Sequence, residues 1–250
     1  MILFLTYHKV VARAEDDADF YTVSRDSFSR QLQALTTAGK SPLDAAALRG
    51  TPPSPKEQCF LSFDDGTRDH HEIVFPLLQG LGWRGVFFVP TAKLNRPGYL
   101  TSAQLRELAA AGHTIGCHSH DHKRLDVMSR EEIQRQLATS RKILHDTTGV
   151  EPWIFAPVGG FVNSTVRDTA LRSGLRVIRT MRWGFNRRPN FAALETIPVN
   201  RHTNNREFQN ILAGRQSRLL YFGKQAAKAM VPGRAYERLR GWIFRLARQH

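Results

Sequence analysis

Short apolar runs alternate along this chain with segments of helical spacing, and that alternation restricts the fold more than any other feature. The runs fall at residues 2–6, 59–63, 86–89, 114–117, 153–155, 175–178 and 196–199. Each is too short for a helix, and most are apolar on consecutive positions, as strands covered on both faces are. Between them lie helix signals. Ser24 caps a helix in which Phe28, Leu32 and Leu35 recur, ending near Gly39. Thr101 caps residues 102–111, with Gly112 as the stop. Ser129 and Glu132 form a capping box for a helix reaching about residue 147. Asn163 or Ser164 opens a helix to Arg172, and residues 207–212 form a further one. Residues 73–81 read as a helix that must hold Pro76 in its first turn or kink there. The pattern predicts an α/β fold, with a parallel sheet inside, helices outside and chemistry just after the strand ends.

With 250 residues, 41% of them hydrophobic, the chain suits one large α/β domain with a packed core. No window of 18 consecutive apolar residues marks a membrane-spanning helix. Residues 1–8 lack a basic leader and a small-residue cleavage site, so they read as a first strand rather than a signal peptide. Cys59 and Cys117 sit inside apolar runs, as buried reduced thiols do, and the expected location is cytoplasmic. Charge divides the chain in two. Eight of the fourteen net positive charges fall in residues 214–250, where nine Lys and Arg face Glu237 alone. From 234 to 248, Arg234, Arg238, Arg245 and Arg248 share one helical face, opposite Leu239, Trp242, Ile243 and Leu246. That is a basic amphipathic tail after a domain of residues 1–213, suited to an anionic membrane surface, or to docking on the domain, before nucleic acid.

Chemistry concentrates at two strand ends. Ser62-Phe-Asp-Asp-Gly66 places adjacent carboxylates at the end of one run, and His118-Ser-His-Asp-His122 follows another. Neighbouring strand residues point to opposite sides unless the backbone turns, and Gly66 is placed to supply that turn. Two imidazoles four residues apart suit one divalent cation, with His120 pointing away. One carboxylate and two imidazoles leave positions open for water and substrate, and leave a second carboxylate to act as base.

Ser62-Phe-Asp-Asp-Gly66 and His118-Ser-His-Asp-His-Lys-Arg-Leu125 resemble the first two motifs of the polysaccharide deacetylases (NodB homology domain, carbohydrate esterase family 4), a likeness running from about residue 3 to 213. The resemblance implies a distorted (β/α) barrel that removes an N-acyl group, most often acetyl, from an amino sugar. It implies Asp64 as general base and Asp65, His118 and His122 as metal ligands. The chain departs from the Arg-x-Pro-Tyr third motif. Its Phe155-Ala-Pro-Val-Gly-Gly-Phe-Val-Asn163 is closer to the form in the branch that handles poly-N-acetylglucosamine. That segment puts Pro157 at the substrate and offers backbone N–H groups near Gly159 and Gly160 as oxyanion donors. His202 best matches the family's late general acid. His8 ends the first strand and lines the pocket, Arg182 orients Asp64 or an anionic substrate group, and Trp183 stacks on a sugar.

The function expected is a metal-dependent carbohydrate N-deacetylase using Zn, with Co, Ni or Mn as alternatives. The substrate expected is an acylated amino-sugar glycan or a lipid-linked saccharide, met at the inner membrane face. Other readings of the same residues are a deformylase, a cyclic-amide hydrolase, or a metal- and carbohydrate-binding relic without turnover.

Overall fold

In the computed structural model, which describes residues 1–17, 19–49 and 58–215, seven parallel strands close into a barrel wrapped by helices. The strands are β1 (Ile2–Tyr7), β4 (Gln58–Phe63), β5 (Val86–Val89), β6 (Thr114–Cys117), β7 (Ile154–Phe155), β8 (Val177–Trp183) and β9 (Leu194–Pro198), neighbouring one another in that order until β9 returns to β1. The expected distorted (β/α) barrel is therefore the fold. Two short strands foreseen by no pattern, β2 (Lys9–Val11) and β3 (Thr22–Ser24), pair beside the barrel mouth.

The helices follow their caps. Ser24 accepts from the Ser27 N–H and opens α1 (Arg25–Thr37). After α2 (Phe75–Gly80), Thr101–Gln104 and Ser129–Glu132 capping boxes open α3 (Ser102–Ala110) and α4 (Arg130–Thr148). The Asn163 side chain opens α5 (Ser164–Arg172), and that of Asn204 opens α6 (Asn205–Leu212). Residues 73–81 are not one helix. A π-helical turn, His70–Val74, runs directly into α2, and Pro76 sits in the first turn of α2.

Alternation along each strand separates two cores. Leu3, Leu5, Leu61, Phe63, Phe87, Cys117 and Phe155 face the helices. Phe4, Phe60, Phe88, Ile154, Val177 and Leu194 fill the barrel. Phe4 stacks on Phe60 with ring centroids 5.2 Å apart. Each such ring contributes about 1.5–3 kcal/mol by leaving water. Gly116 makes this filling possible, because a Cβ there would lie 2.5 Å from the Phe88 ring. Above the rings, Thr6 bridges Ser62 at 2.9 Å and Thr196 at 2.5 Å, a polar layer closing the barrel below the mouth. The mouth lies at the C-terminal strand ends, where Asp64 and His118 emerge.

Met1–Gly214 form one unit and Arg215–His250 a second. The amphipathic tail expected over 214–250 lies, past Arg215, outside the described residues. No helix among the described residues is long and apolar enough to cross a membrane. Cys59 and Cys117 are buried and free.

Candidate metal centre

The strand parity of Phe60 and Ser62 brings Asp64 to the inside of the mouth. There the chain turns at once. Asp65 itself adopts φ 78°, and Gly66 follows at 59°. The expected turn thus starts one residue before the glycine, on a non-glycine residue held in a sparsely populated conformation. Its effect is that neighbouring carboxylates both face the mouth.

Asp65, His118 and His122 each present one ligand atom, and these atoms all lie within 4.8 Å of one another. Asp65 Oδ1 is 2.8 Å from His122 Nε2 and 3.3 Å from His118 Nε2. His118 follows β6 and is 2% exposed; its Nδ1–H donates to the Ala156 carbonyl at 2.5 Å, so that Nε2 carries the lone pair toward the centre. Burial opposes ionisation of Asp65, but the His118 and His122 rings against its oxygen outweigh it and hold the carboxyl well below the usual range. For His118 burial disfavours the charged ring, yet the Asp65 and Asp64 carboxylates outweigh that and raise its pKa. An anionic oxygen and two aimed imidazole nitrogens fit a divalent cation, and three such donors would leave positions on it for water and substrate.

The loop carrying His122 is strained and pinned. Ser119 and His122 have φ of 62° and 56°. Gln136 of α4, itself buried, accepts the N–H groups of His120 and Asp121 at 3.0 and 2.9 Å and donates to Asp121 Oδ2 at 2.7 Å. His120 turns away from the triad and meets Thr91 at 2.8 Å. Sequence reasoning missed Gln136, which looks like any polar helix residue. Removing it as Gln136→Ala, which frees the loop that carries His122, is expected to weaken divalent-cation binding by up to about 10-fold, the low end of what losing an outer support costs. Calorimetric titration with zinc checks this; unchanged affinity would mean that the loop holds itself.

Asp64 stands apart from the triad, 2% exposed. Its carboxylate accepts from Arg179 Nη2, and its Oδ2 lies 3.9 Å from His8 Nε2. Arg179 is wholly buried, with its guanidinium 4.8 Å from the Phe88 ring centroid and Nη1 3.1 Å from Met181 Sδ. This corrects the assignment to Arg182. β8 runs to Trp183 rather than stopping at 178, which turns Arg179 into the barrel and Arg182 out. Arg182 is exposed and donates to the Ala193 carbonyl at 3.0 Å. Trp183, on the same strand, is partly buried and packs edge-on against Phe185 at 5.5 Å. The signal for Arg179 was present: a lone charge among Val177, Ile178 and Met181, at the inward parity.

His8 is partly buried and stacked on Tyr21, ring centroids 4.5 Å apart. Burial lowers its pKa, more than the carboxylates of Asp65 and Asp64 raise it. His202 is elsewhere. It sits exposed on the turn after β9, its ring 5.7 Å from Phe20, and Phe20 and Tyr21 intervene between it and His8. Among the described residues no contact joins the His202 ring to Asp64 or the triad, because the turn at 201–202 carries it outward. Pro157 is buried beside Ala156, the His118 partner. Gly159 and Gly160 lie in a tight turn after Pro157, both left-handed with φ of 65° and 72°. The Gly160 N–H already donates to the Pro157 carbonyl at 2.8 Å, which removes it as an oxyanion donor.

A parallel barrel thus carries at its mouth a carboxylate–imidazole triad that could hold a metal ion and, beside it, a second buried carboxylate. A sequence model described as polysaccharide deacetylase matches residues 51–178, and the chain belongs to that family. The chain is 28% identical over 138 residues to a Bacillus cereus peptidoglycan-N-acetylglucosamine deacetylase, covering 55% of this chain and 61% of that one. It is 24% identical over 241 residues to the Escherichia coli K12 poly-beta-1,6-N-acetyl-D-glucosamine N-deacetylase, covering 78% of this chain and 35% of that one. The chain thus spans less than two thirds of the length of these curated relatives. The solved Streptococcus pyogenes deacetylase PplD shares the fold, with TM-score 0.75, 22% identity, and coverage of 86% of this chain and 98% of that one.

Proposed function

We propose that this chain is a metal-dependent N-deacetylase acting on an N-acetylated amino-sugar glycan. The observation that carries the reading is the division of two adjacent carboxylates, one aimed with two imidazoles at a common point and one kept beside it on an arginine. The names of the relatives, which deacetylate peptidoglycan or poly-N-acetylglucosamine, support the substrate class. Asp65, His118 and His122 would hold the cation, with zinc first among the candidates for an oxygen and two nitrogen donors. Such a cation supplies an acidified water and polarises an amide carbonyl.

The chain's own groups divide the remaining work. Asp64 takes a proton from the attacking water. Arg179 holds that carboxylate in one orientation within a buried site. His8, in contact with Asp64, moves the proton on to the departing amine. Its lowered pKa keeps the resting ring neutral near pH 7 and makes the imidazolium, once formed, a strong enough acid to release its proton to an amine. His8 replaces His202 in this role on geometry alone. The basic charge of residues 214–250 supports a further part of the reading: approach to an anionic membrane surface and a lipid-linked saccharide as substrate.

Acetate release from oligomers of β-1,4- and β-1,6-linked N-acetylglucosamine, with zinc added, tests the function; no acetate from either class would sink it, and formate release from N-formyl analogues alone would favour a deformylase. Within that assay His8→Ala is expected to lose about 10²- to 10⁴-fold in kcat, the range for a displaced proton-transfer group. His202→Ala is expected to stay within about threefold of the parent, as surface changes do. The reverse result would return the role to His202.

A further inference from the structure

The segment between the two carboxylates and α2 does more than connect them. Asp69 and His70 both reach across to the chain that carries His8. The Asp69 Oδ2 atom accepts the Val10 N–H at 2.7 Å. The His70 Nε2–H donates to the His8 carbonyl at 2.5 Å. The two bonds fall on either side of Lys9, so the β1–β2 connection is clamped at both ends.

The π-helical turn His70–Val74 makes this reach possible. An extra residue in a helical turn re-aims the side chains around it, and such turns gather at functional sites. Here it directs His70 inward, fully buried, its ring centroid 5.8 Å from those of both Phe63 and Phe87. His70 Nδ1 has no hydrogen-bond partner among the described residues, so the ring's one polar commitment is the His8 carbonyl. His8 Nδ1 also lacks a partner among the described residues. The His8 ring is therefore set by its backbone and by the Tyr21 stack, not by a hydrogen bond from its own side chain. A small backbone shift at residue 8 moves the ring away from Asp64, which lies 3.9 Å off.

We propose that His70 is a positioning residue for His8: it fixes the His8 carbonyl, and through it the direction in which the His8 ring faces Asp64 and the substrate nitrogen. This rests on the assignment of proton transfer to His8 above. The inference predicts an effect confined to reactions that need the leaving group protonated. An amide must receive a proton on nitrogen; 4-nitrophenyl acetate expels a phenolate that needs none.

The test compares His70→Phe, which keeps ring packing and removes the donor, with His70→Gln, whose amide Nε2 restores a donor at similar reach. On an N-acetylglucosamine oligomer, His70→Phe is expected to lower kcat about 30-fold, within the roughly 10²-fold that a 1 Å misplacement can cause, with KM and zinc affinity within about twofold. On 4-nitrophenyl acetate the loss is expected to stay under about threefold, and His70→Gln is expected to recover most of the amide activity. Asp69→Ala, which opens the other end of the clamp, is expected to give the same amide-selective loss at smaller size, and serves if His70→Phe does not fold. Equal losses on both substrates, an unchanged kcat on the amide, or no recovery in a folded His70→Gln variant would each overturn the inference. If His8→Ala keeps full amide activity, the parent assignment falls; if His8→Ala is impaired and His70→Phe is not, the positioning role alone falls.

Discussion

Asp64→Asn is expected to lower acetate release about 10²- to 10⁴-fold while zinc affinity changes by only a few-fold, whereas Asp65→Asn is expected to lose both. The two residues are neighbours in sequence and chemically identical, so any difference arises from geometry. Asp65 Oδ1 lies 2.8 and 3.3 Å from the Nε2 atoms of His122 and His118, and it belongs to the converging triad. Asp64 contacts Arg179 and His8 and lies outside that triad. An asparagine at 64 keeps an oxygen for Arg179 but cannot take a proton from water. An asparagine at 65 offers a neutral oxygen to a divalent cation and gives up the charge that stabilises it. Zinc titration by calorimetry, run beside acetate assays on the same preparations, separates the cases. If Asp64→Asn abolished zinc binding while Asp65→Asn kept it, the two roles would be exchanged.

That an aspartate and two histidines converge was legible in the sequence because strand-end carboxylates and a four-residue histidine spacing are local patterns, while the choice of Asp65 over Asp64 came from the family resemblance. The barrel was legible for a similar reason: most of its strands contain a short apolar run, and each long helix carries its cap in the residue before it. What escaped was set by contacts distant along the chain. Arg179 reaches Asp64 across 115 positions, and its inward aim depends on where β8 ends. Gln136 reaches the histidine loop from α4, and His70 reaches His8 from a π-helical turn that periodicity reads as plain helix. His202 misled because a histidine after a late strand satisfies a motif wherever its side chain points. The structure points it outward onto Phe20. The turn at Asp65 was placed on Gly66 because glycine is the usual residue at positive φ, whereas here the ligand itself takes that conformation.

Arg179→Met is expected to destabilise the fold by about 3–5 kcal/mol, the cost of breaking a buried ion pair from one side. Arg179 is fully buried inside the barrel, over Phe88, and Asp64 is almost as deeply buried. Methionine fills similar space and suits the neighbouring Met181, so packing loss is small and the penalty comes from the carboxylate left without its partner. For a unit of this size, that loss lowers the melting temperature by about 10 °C. The companion variant decides the cause. Arg179→Met combined with Asp64→Asn removes both charges and is expected to recover most of the melting temperature, because a buried pair replaced as a whole often costs little. Activity is not expected to return, since the base is gone. Thermal melts of the two single variants, the double variant and the parent measure the coupling directly. Additive losses in the double variant would show that Arg179 stabilises the barrel through its packing on Phe88 and not through Asp64.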